Sequence, residues 1–245
     1  MEVHVAVAPE TLWSVSIPGT GLTLNITNSF LTMLIVMAAL VIVGAVIARR
    51  ATLVPGFVQS VFEMAAEFIL GMVEGAAGKR AGRTIFPLVG GLFIFIIVSN
   101  YTGLLPGIGT IGYVDEHGHL ERSLFRPPSA DLNMTLAMAV VTFLVVQVAG
   151  IRAHGVGGRI KHMANPPFLF PIEVIGEFSR IISLSFRLFG NIFAGEVLLT
   201  VMYAMANAIK ITVVGLLIPV IFLYLEVLFG FIQALVFALL TLIYI

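Results

Sequence analysis

The sequence predicts an all-α integral membrane protein, and three observations carry that expectation. Apolar residues make up 59 % of the 245 positions, charged residues only 11 %, and the mean hydropathy is +1.09. Soluble domains carry charge on roughly a quarter of their residues, so this composition calls for lipid as the solvent. Uncharged apolar stretches also recur along the chain, each near the ~20 residues that a hydrocarbon core of about 30 Å requires. The net charge is zero and no basic tail is present, so nucleic acid is not an expected partner. There is no Cys, which excludes disulfides and thiolate metal sites. Residues before Gly21 lack a basic region ahead of an apolar run and do not read as a cleaved signal peptide.

The expected architecture is a single membrane domain with five membrane helices and one interfacial helix. Residues 1–24 form an outer N-terminal segment. Residues 26–48 make the first span, with Asn25, Thr27 and Asn28 as candidate N-caps and Arg49-Arg50 at its close. Residues 56–78 differ. Glu63, Glu67 and Glu74 recur at helical spacing among Phe57, Val61, Phe62, Phe68 and Ile69. Three carboxylates would need partners in lipid, so this segment is expected to lie at the interface. A basic connection holding Lys79, Arg80 and Arg83 leads to the second span, residues 84–105, which Pro106 and Gly107 end. Residues 107–130 form a polar outer loop containing Asp115, Glu116, Glu121, Arg122 and Arg126. The third span covers residues 131–151, followed by a short basic connection with Arg152, Arg159 and Lys161.

The last third is expected to hold two very long helices, residues 168–206 and 211–245. At 1.5 Å per residue they would run roughly 58 and 52 Å, far beyond a single core thickness. A long hairpin, tilted by about 60°, reconciles those lengths with the bilayer. Pro171 sits near the first helix's start, where it is tolerated, and Pro219 is expected to kink the second. The basic residues Arg49, Arg50, Lys79, Arg80, Arg83, Arg152, Arg159 and Lys161 share one side if the N-terminus is outside. Only Arg122, Arg126 and Lys210 fall opposite. The positive-inside rule then puts the C-terminus in the cytoplasm. No internal repeat supports an inverted-repeat transporter.

The residues that carry chemistry lie between Pro171 and Glu196. At about 100° per residue, Glu173, Glu177, Arg180, Arg187 and Asn191 fall within an arc of roughly 80°. Gly176, Ser183, Gly190 and Ala194 run beside them, and small residues so spaced allow a second helix to approach. The following helix adds Glu226 and Gln233, seven apart and on one face, with Gly230 beside them. Glu196 lies off the stripe. A charge in mid-membrane costs from about 2.5 to more than 10 kcal/mol, so it requires a partner or a water path. An arginine stays charged and cannot hand its proton on, yet it attracts a carboxylate and favours its ionised form. Glu and Asp bind and release protons. One helix therefore carries both a fixed cation, Arg187, and exchangeable acids, which is more than packing needs.

The run Ser183-Leu-Ser-Phe-Arg-Leu-Phe-Gly-Asn191, with Ala-Gly-Glu196 downstream, resembles the signature of the ATP synthase subunit a family. Ile232-Gln-Ala-Leu-Val-Phe-Ala-Leu-Leu-Thr-Leu-Ile-Tyr244 is similar to that family's C-terminal motif. Pro128-Ser-Ala-Asp131-Leu-Asn133-Met-Thr-Leu-Ala and Asn100-Tyr-Thr-Gly-Leu-Leu-Pro106 resemble two of its earlier helix ends. The similarity spans nearly the whole chain in order. The resemblance implies a non-catalytic proton-channel subunit beside a ring of c subunits, with b-type peripheral stalk subunits and the remaining synthase subunits as partners. It implies two aqueous half-channels, with Arg187 as the essential charge between them. Asp131, Asn191, Glu196, Glu226 and Gln233 match the outer half-channel, and Glu173 the cytoplasmic exit, where Glu177 joins it. Ser183 and Gly190 match the ring-facing surface. At the Glu226 position some members have His. No cofactor or metal is expected, and a bacterial inner membrane is the expected location.

Other features are weak. His117-Gly-His119 with Asp115 and Glu116 reads as a solvated loop rather than a metal site. The glycines between Gly103 and Gly112 lack the Gly-Lys-Ser/Thr ending of a phosphate loop. A self-contained transporter would need a substrate pocket, and a passive membrane anchor would leave the polar stripe unexplained.

Overall fold

The computed structural model describes residues 8–16, 23–52, 55–105, 108, 111–114, 120–163, 168, 170–208 and 212–245. The chain begins with a two-stranded antiparallel hairpin, β1 (Thr11–Ser16) and β2 (Thr23–Thr27). It runs directly into α1 (Asn28–Arg50). Thr27 caps that helix, its Oγ1 accepting from the Phe30 amide at 3.3 Å. Next come α2 (Phe57–Thr102), a second small hairpin of β3 (Gly112–Val114) and β4 (Leu120–Ser123), and a 3-10 turn over Pro128–Ala130. Three helices close the chain: α3 (Leu132–Met163), α4 (Phe170–Ala208) and α5 (Thr212–Tyr244). Among the described residues, five helices are long and apolar enough to cross a membrane. Their outer surfaces are apolar, with Val41 65 % and Ile42 62 % exposed on α1, the inverse of a water-soluble bundle.

Two helix ends expected from the sequence fall at or near a glycine of positive φ. Residues 56–78 and 84–105 are expected as separate helices joined by a basic connection. They are the two arms of α2, which breaks at Gly78 where the first is expected to end, and Lys79, Arg80 and Arg83 are helical in the second. The break is Gly78, at φ 78° and ψ 159°, a conformation open essentially to glycine alone. Gly82 then comes so close to the first arm that an added Cβ would lie 3.1 Å from Glu74 Cα. Arg83 Nε pairs with Glu74 Oε1 at 3.0 Å across the same corner. Likewise α3 runs on past the expected end of its span to Met163, broken at Gly155 (φ 72°). Helix resumes beyond each break, so residues that composition marks as connections are helical on its far side. The expected outer loop, residues 107–130, holds the β3–β4 hairpin and the 3-10 turn. Asp115, Glu116, His117 and His119 lie outside the described residues, as does Lys210.

The core is a row of helices. α2 packs on α5, α5 on α4, and α4 on α3, while α1 touches α2 and the 3-10 turn at one edge. Ile69 and Val73 of the first α2 arm join Val89, Phe93 and Ile96 of the second. Leu184, Leu188 and Ile192 of α4 meet Ala234, Phe237 and Ala238 of α5 in the same cluster. Phe231 stands edge-on to Phe93, ring centres 5.9 Å apart, which ties α5 to α2. Pro219 lies inside α5, and the helix runs on from both sides of it.

Candidate functional site

Helices α4 and α5 run antiparallel, and polar pairs mark their shared face. Asn191 Nδ2 donates to Gln233 Oε1 at 2.7 Å. One turn further along α4, Gly195 faces Glu226, and an added Cβ there would lie 2.7 Å from Glu226 Oε1. Glycine is what lets that carboxyl approach the α4 backbone. The other oxygen, Oε2, is buried and meets no donor among the described residues. A cleft of about 240 Å³, lined by Asn191, Ala194, Gly195, Leu198, Glu226 and Phe229 among others, opens beside this pair. That space accommodates several waters, each needing on the order of 30 Å³.

Next to Glu226 on the α4 side stands Glu196, held from outside the helix pair. Arg126 Nη2 pairs with Glu196 Oε2 at 3.3 Å. The Arg126 side chain is 5 % exposed and that of Glu196 30 %. The guanidinium is carried on the segment leading into the 3-10 turn, and its amide donates to Thr32 Oγ1 of α1 at 3.3 Å. The sequence groups Arg126 with the loop charges. Its signal is the rigid Pro127-Pro128 that follows, which fixes the chain just before Asp131.

Asp131 is buried at the start of α3 and acts there as a cap. Its Oδ1 accepts from the Asn133 amide at 2.9 Å, and its carbonyl from Thr135 N at 3.2 Å. From α2, Asn100 Nδ2 donates to the Gly230 carbonyl at 3.1 Å, and Tyr101 Oη to that of Val227 at 3.2 Å. Both bonds fix α5 in the turn that follows Glu226.

Toward the other end of α4 the polar residues separate. Glu177 is buried and accepts from Gln147 Nε2 of α3. A void of about 20 Å³ beside it is lined by Thr142, Gln147, Arg180 and Tyr244 among others. Arg180 lies over the Tyr244 ring, 4.6 Å from its centre. Glu173, in the first turn, is exposed. Arg187 is exposed too, on a face it shares with Ser183, Phe186 and Asn191, while Gly190 is half-buried. Among the described residues no side chain pairs with Arg187. The single expected stripe is therefore divided: Glu177 turns into α3, and Arg187 turns out of the chain.

These features define a class: a multi-helix membrane protein with acids inside its helix layer and an unpaired cation on the surface of a spanning helix. The comparisons are specific. A family model described as ATP synthase A chain matches residues 30–245. Over 222 residues the chain is 38 % identical to "ATP synthase subunit a" of Moorella thermoacetica, covering 90 % of this chain and 88 % of the relative. Over 216 residues it is 38 % identical to "ATP synthase subunit a 2" of Syntrophotalea carbinolica, covering 86 % and 81 %. "ATP synthase subunit a" of Geotalea daltonii matches at the same identity over 216 residues. The chain belongs to the ATP synthase A chain family.

Proposed function

We propose that this chain is the proton-conducting stator subunit of a rotary ATP synthase and that its two aqueous half-channels meet at Arg187. The observation that carries the reading is that Arg187 stands exposed and unpaired, among the described residues, midway along a helix built to cross a membrane. A cation there costs at least about 2.5 kcal/mol in lipid, so another molecule must meet it with a negative charge. A ring of c subunits, each bringing one carboxylate, supplies that charge repeatedly. Ser183 and Gly190 lie along the same side of α4 and leave room for close approach.

In this reading protons enter from outside through the group formed by Asp131, Asn191, Glu196, Glu226 and Gln233. The cleft beside Glu226 supports the path, because it opens at Ala194, on the exposed side of α4. Each ring carboxylate is ionised beside Arg187 and protonated where it faces lipid. Arg187 holds its own proton, so it blocks direct passage between the two paths. Protons leave toward the cytoplasm past Glu173 and Glu177. The membrane potential contributes about 2.3 kcal/mol per charge per 100 mV, and rotation of the ring carries that work to ATP synthesis on other subunits.

The placement follows from charge. The N-terminus lies outside and the C-terminus in the cytoplasm of a bacterial inner membrane. With 39 and 33 residues, α4 and α5 run roughly 58 and 50 Å, so they cross steeply tilted. The first arm of α2, whose Glu63 and Glu67 are exposed, lies near the cytoplasmic interface. The b-type stalk subunits hold the chain still against the ring.

The test is ATP-driven acidification of inverted membrane vesicles, comparing wild type with Arg187→Ala at matched amounts of assembled complex. Pumping is expected to vanish while ATP hydrolysis by the soluble head survives. Normal pumping by Arg187→Ala would sink the reading.

A further inference from the structure

Outside the α4–α5 pair, one buried charge takes part in the site without having an assigned role. Arg126 comes from the loop before α3, yet its side chain ends on Glu196 of α4. Glu226 of α5 lies against Gly195, the residue before Glu196. Two carboxyls and one guanidinium thus lie close together, with Arg126 buried and Glu196 30 % exposed. We propose that Arg126 is the positioning residue of the outer acid site: it holds Glu196 as its fixed counter-ion and limits the two acids to one exchangeable proton, carried by Glu226.

The argument is charge balance in a low-dielectric place. With both acids ionised, the three groups sum to minus one, and one bound proton makes them neutral. The ion pair engages Glu196 Oε2, whereas Glu226 Oε2 is buried and meets no donor among the described residues. A carboxyl oxygen so placed is the natural seat of the proton. The other groups that reach this place are neutral or already engaged. From α2 they are Asn100 and Tyr101, each donating to an α5 carbonyl. From α4 and α5 they are Asn191 and Gln233, bonded to each other. Asp131 accepts the Asn133 amide at the start of α3. Arg126 is braced in turn, since its amide bonds Thr32 of α1 and the nearby Ser123 is gripped by Asn28 and Glu10. The N-terminal hairpin and α1 thereby hold the guanidinium in place.

This inference rests on the proton-conducting reading above, and its test separates the two. Inverted vesicles carrying wild type, Arg187→Ala, Arg126→Lys, Arg126→Gln, Glu196→Gln and the double variant Arg126→Gln/Glu196→Gln are compared for acidification per assembled complex. Arg126→Gln and Glu196→Gln are each expected to lower pumping by about tenfold or more, because each leaves an unmatched buried charge. The double variant restores charge balance around Glu226 and is expected to pump better than either single variant. Arg126→Lys keeps the charge and is expected to pump better than Arg126→Gln. A double variant that pumps no better than Glu196→Gln, for want of assembly or of conduction, overturns the role given to Arg126. If Arg187→Ala itself pumps normally, the failure lies in the proton-conducting reading instead.

Discussion

Two sides of α4 treat their polar residues in opposite ways. On the side facing α3, Glu177 meets Gln147, and Ser185 meets Thr135 at 3.1 Å. Around them Leu184, Leu188 and Ile192 fill the core. On the other side Ser183, Phe186, Arg187 and Asn191 are exposed, and Arg187 has no partner among the described residues. The first side is held by bonds within the chain, at Glu177 and Ser185. The second is not, because no described side chain compensates the cation. A polar residue in a membrane helix is informative about function when its partner is missing from its own chain.

That contrast predicts opposite responses. Arg187→Ala removes a side chain that the fold does not use. Its largest effect is the loss of pumping, while stability in detergent changes by less than about 0.5 kcal/mol. A clear drop in the thermal or denaturant midpoint of the isolated subunit would mean that Arg187 has an internal partner.

Two glycines on α4 sharpen the comparison. An added Cβ at Gly195 would collide with Glu226 Oε1 at 2.7 Å and Cδ at 3.0 Å. Gly195→Ala is expected to push that carboxyl aside and reduce pumping by about tenfold, on the order of 1.4 kcal/mol. At Gly190 nothing lies within 4 Å of the added Cβ. Gly190→Ala should leave the isolated subunit's stability unchanged, so any loss of pumping there reports a partner against the open side. Equal pumping by both variants would erase the distinction.

Glu177→Leu tests the closed side. It removes a buried partner of Gln147 and is expected to destabilise the subunit by about 1–3 kcal/mol in detergent unfolding. If pumping falls far more than assembly does, Glu177 also works in the exit path.

Much of this was readable in the sequence, for physical reasons that also mark the limits. Spans are legible because a hydrocarbon core demands long apolar runs, and α4 was expected at nearly its observed bounds. The split of the polar stripe was not. At about 100° per residue Glu177 and Arg187 mark opposite edges of the 80° arc, and the border of the α3 contact runs between them. Periodicity gives angular neighbours but not which neighbour faces a partner. The break at Gly78 falls where the first arm is expected to end, but glycine is common in membrane helices, and only backbone geometry tells a packing glycine from a turning one. Local pattern groups Arg126 with the loop because its partner, Glu196, is 70 positions away. A long-range ion pair leaves no local pattern.

The smallest expected effect comes from the Thr135–Ser185 bond. Thr135 Oγ1 lies 3.0 Å from the Leu132 carbonyl and 3.1 Å from Ser185 Oγ. If its proton goes to Leu132, it accepts from Ser185, which is fully buried. Thr135→Val keeps the shape, removes the acceptor and strands the Ser185 hydroxyl. Such bonds between membrane helices average about 0.6 kcal/mol and reach about 1.7, so a loss in that range is expected on detergent unfolding. Adding Ser185→Ala should bring stability back toward wild type, because two absent partners cost less than one stranded group. Pumping should stay near wild type in both variants, since the bond faces α3 and not the open side. A pumping defect in Thr135→Val at normal assembly would mean that Ser185, like Glu177, serves the proton path, and the purely structural role given to this bond would fail.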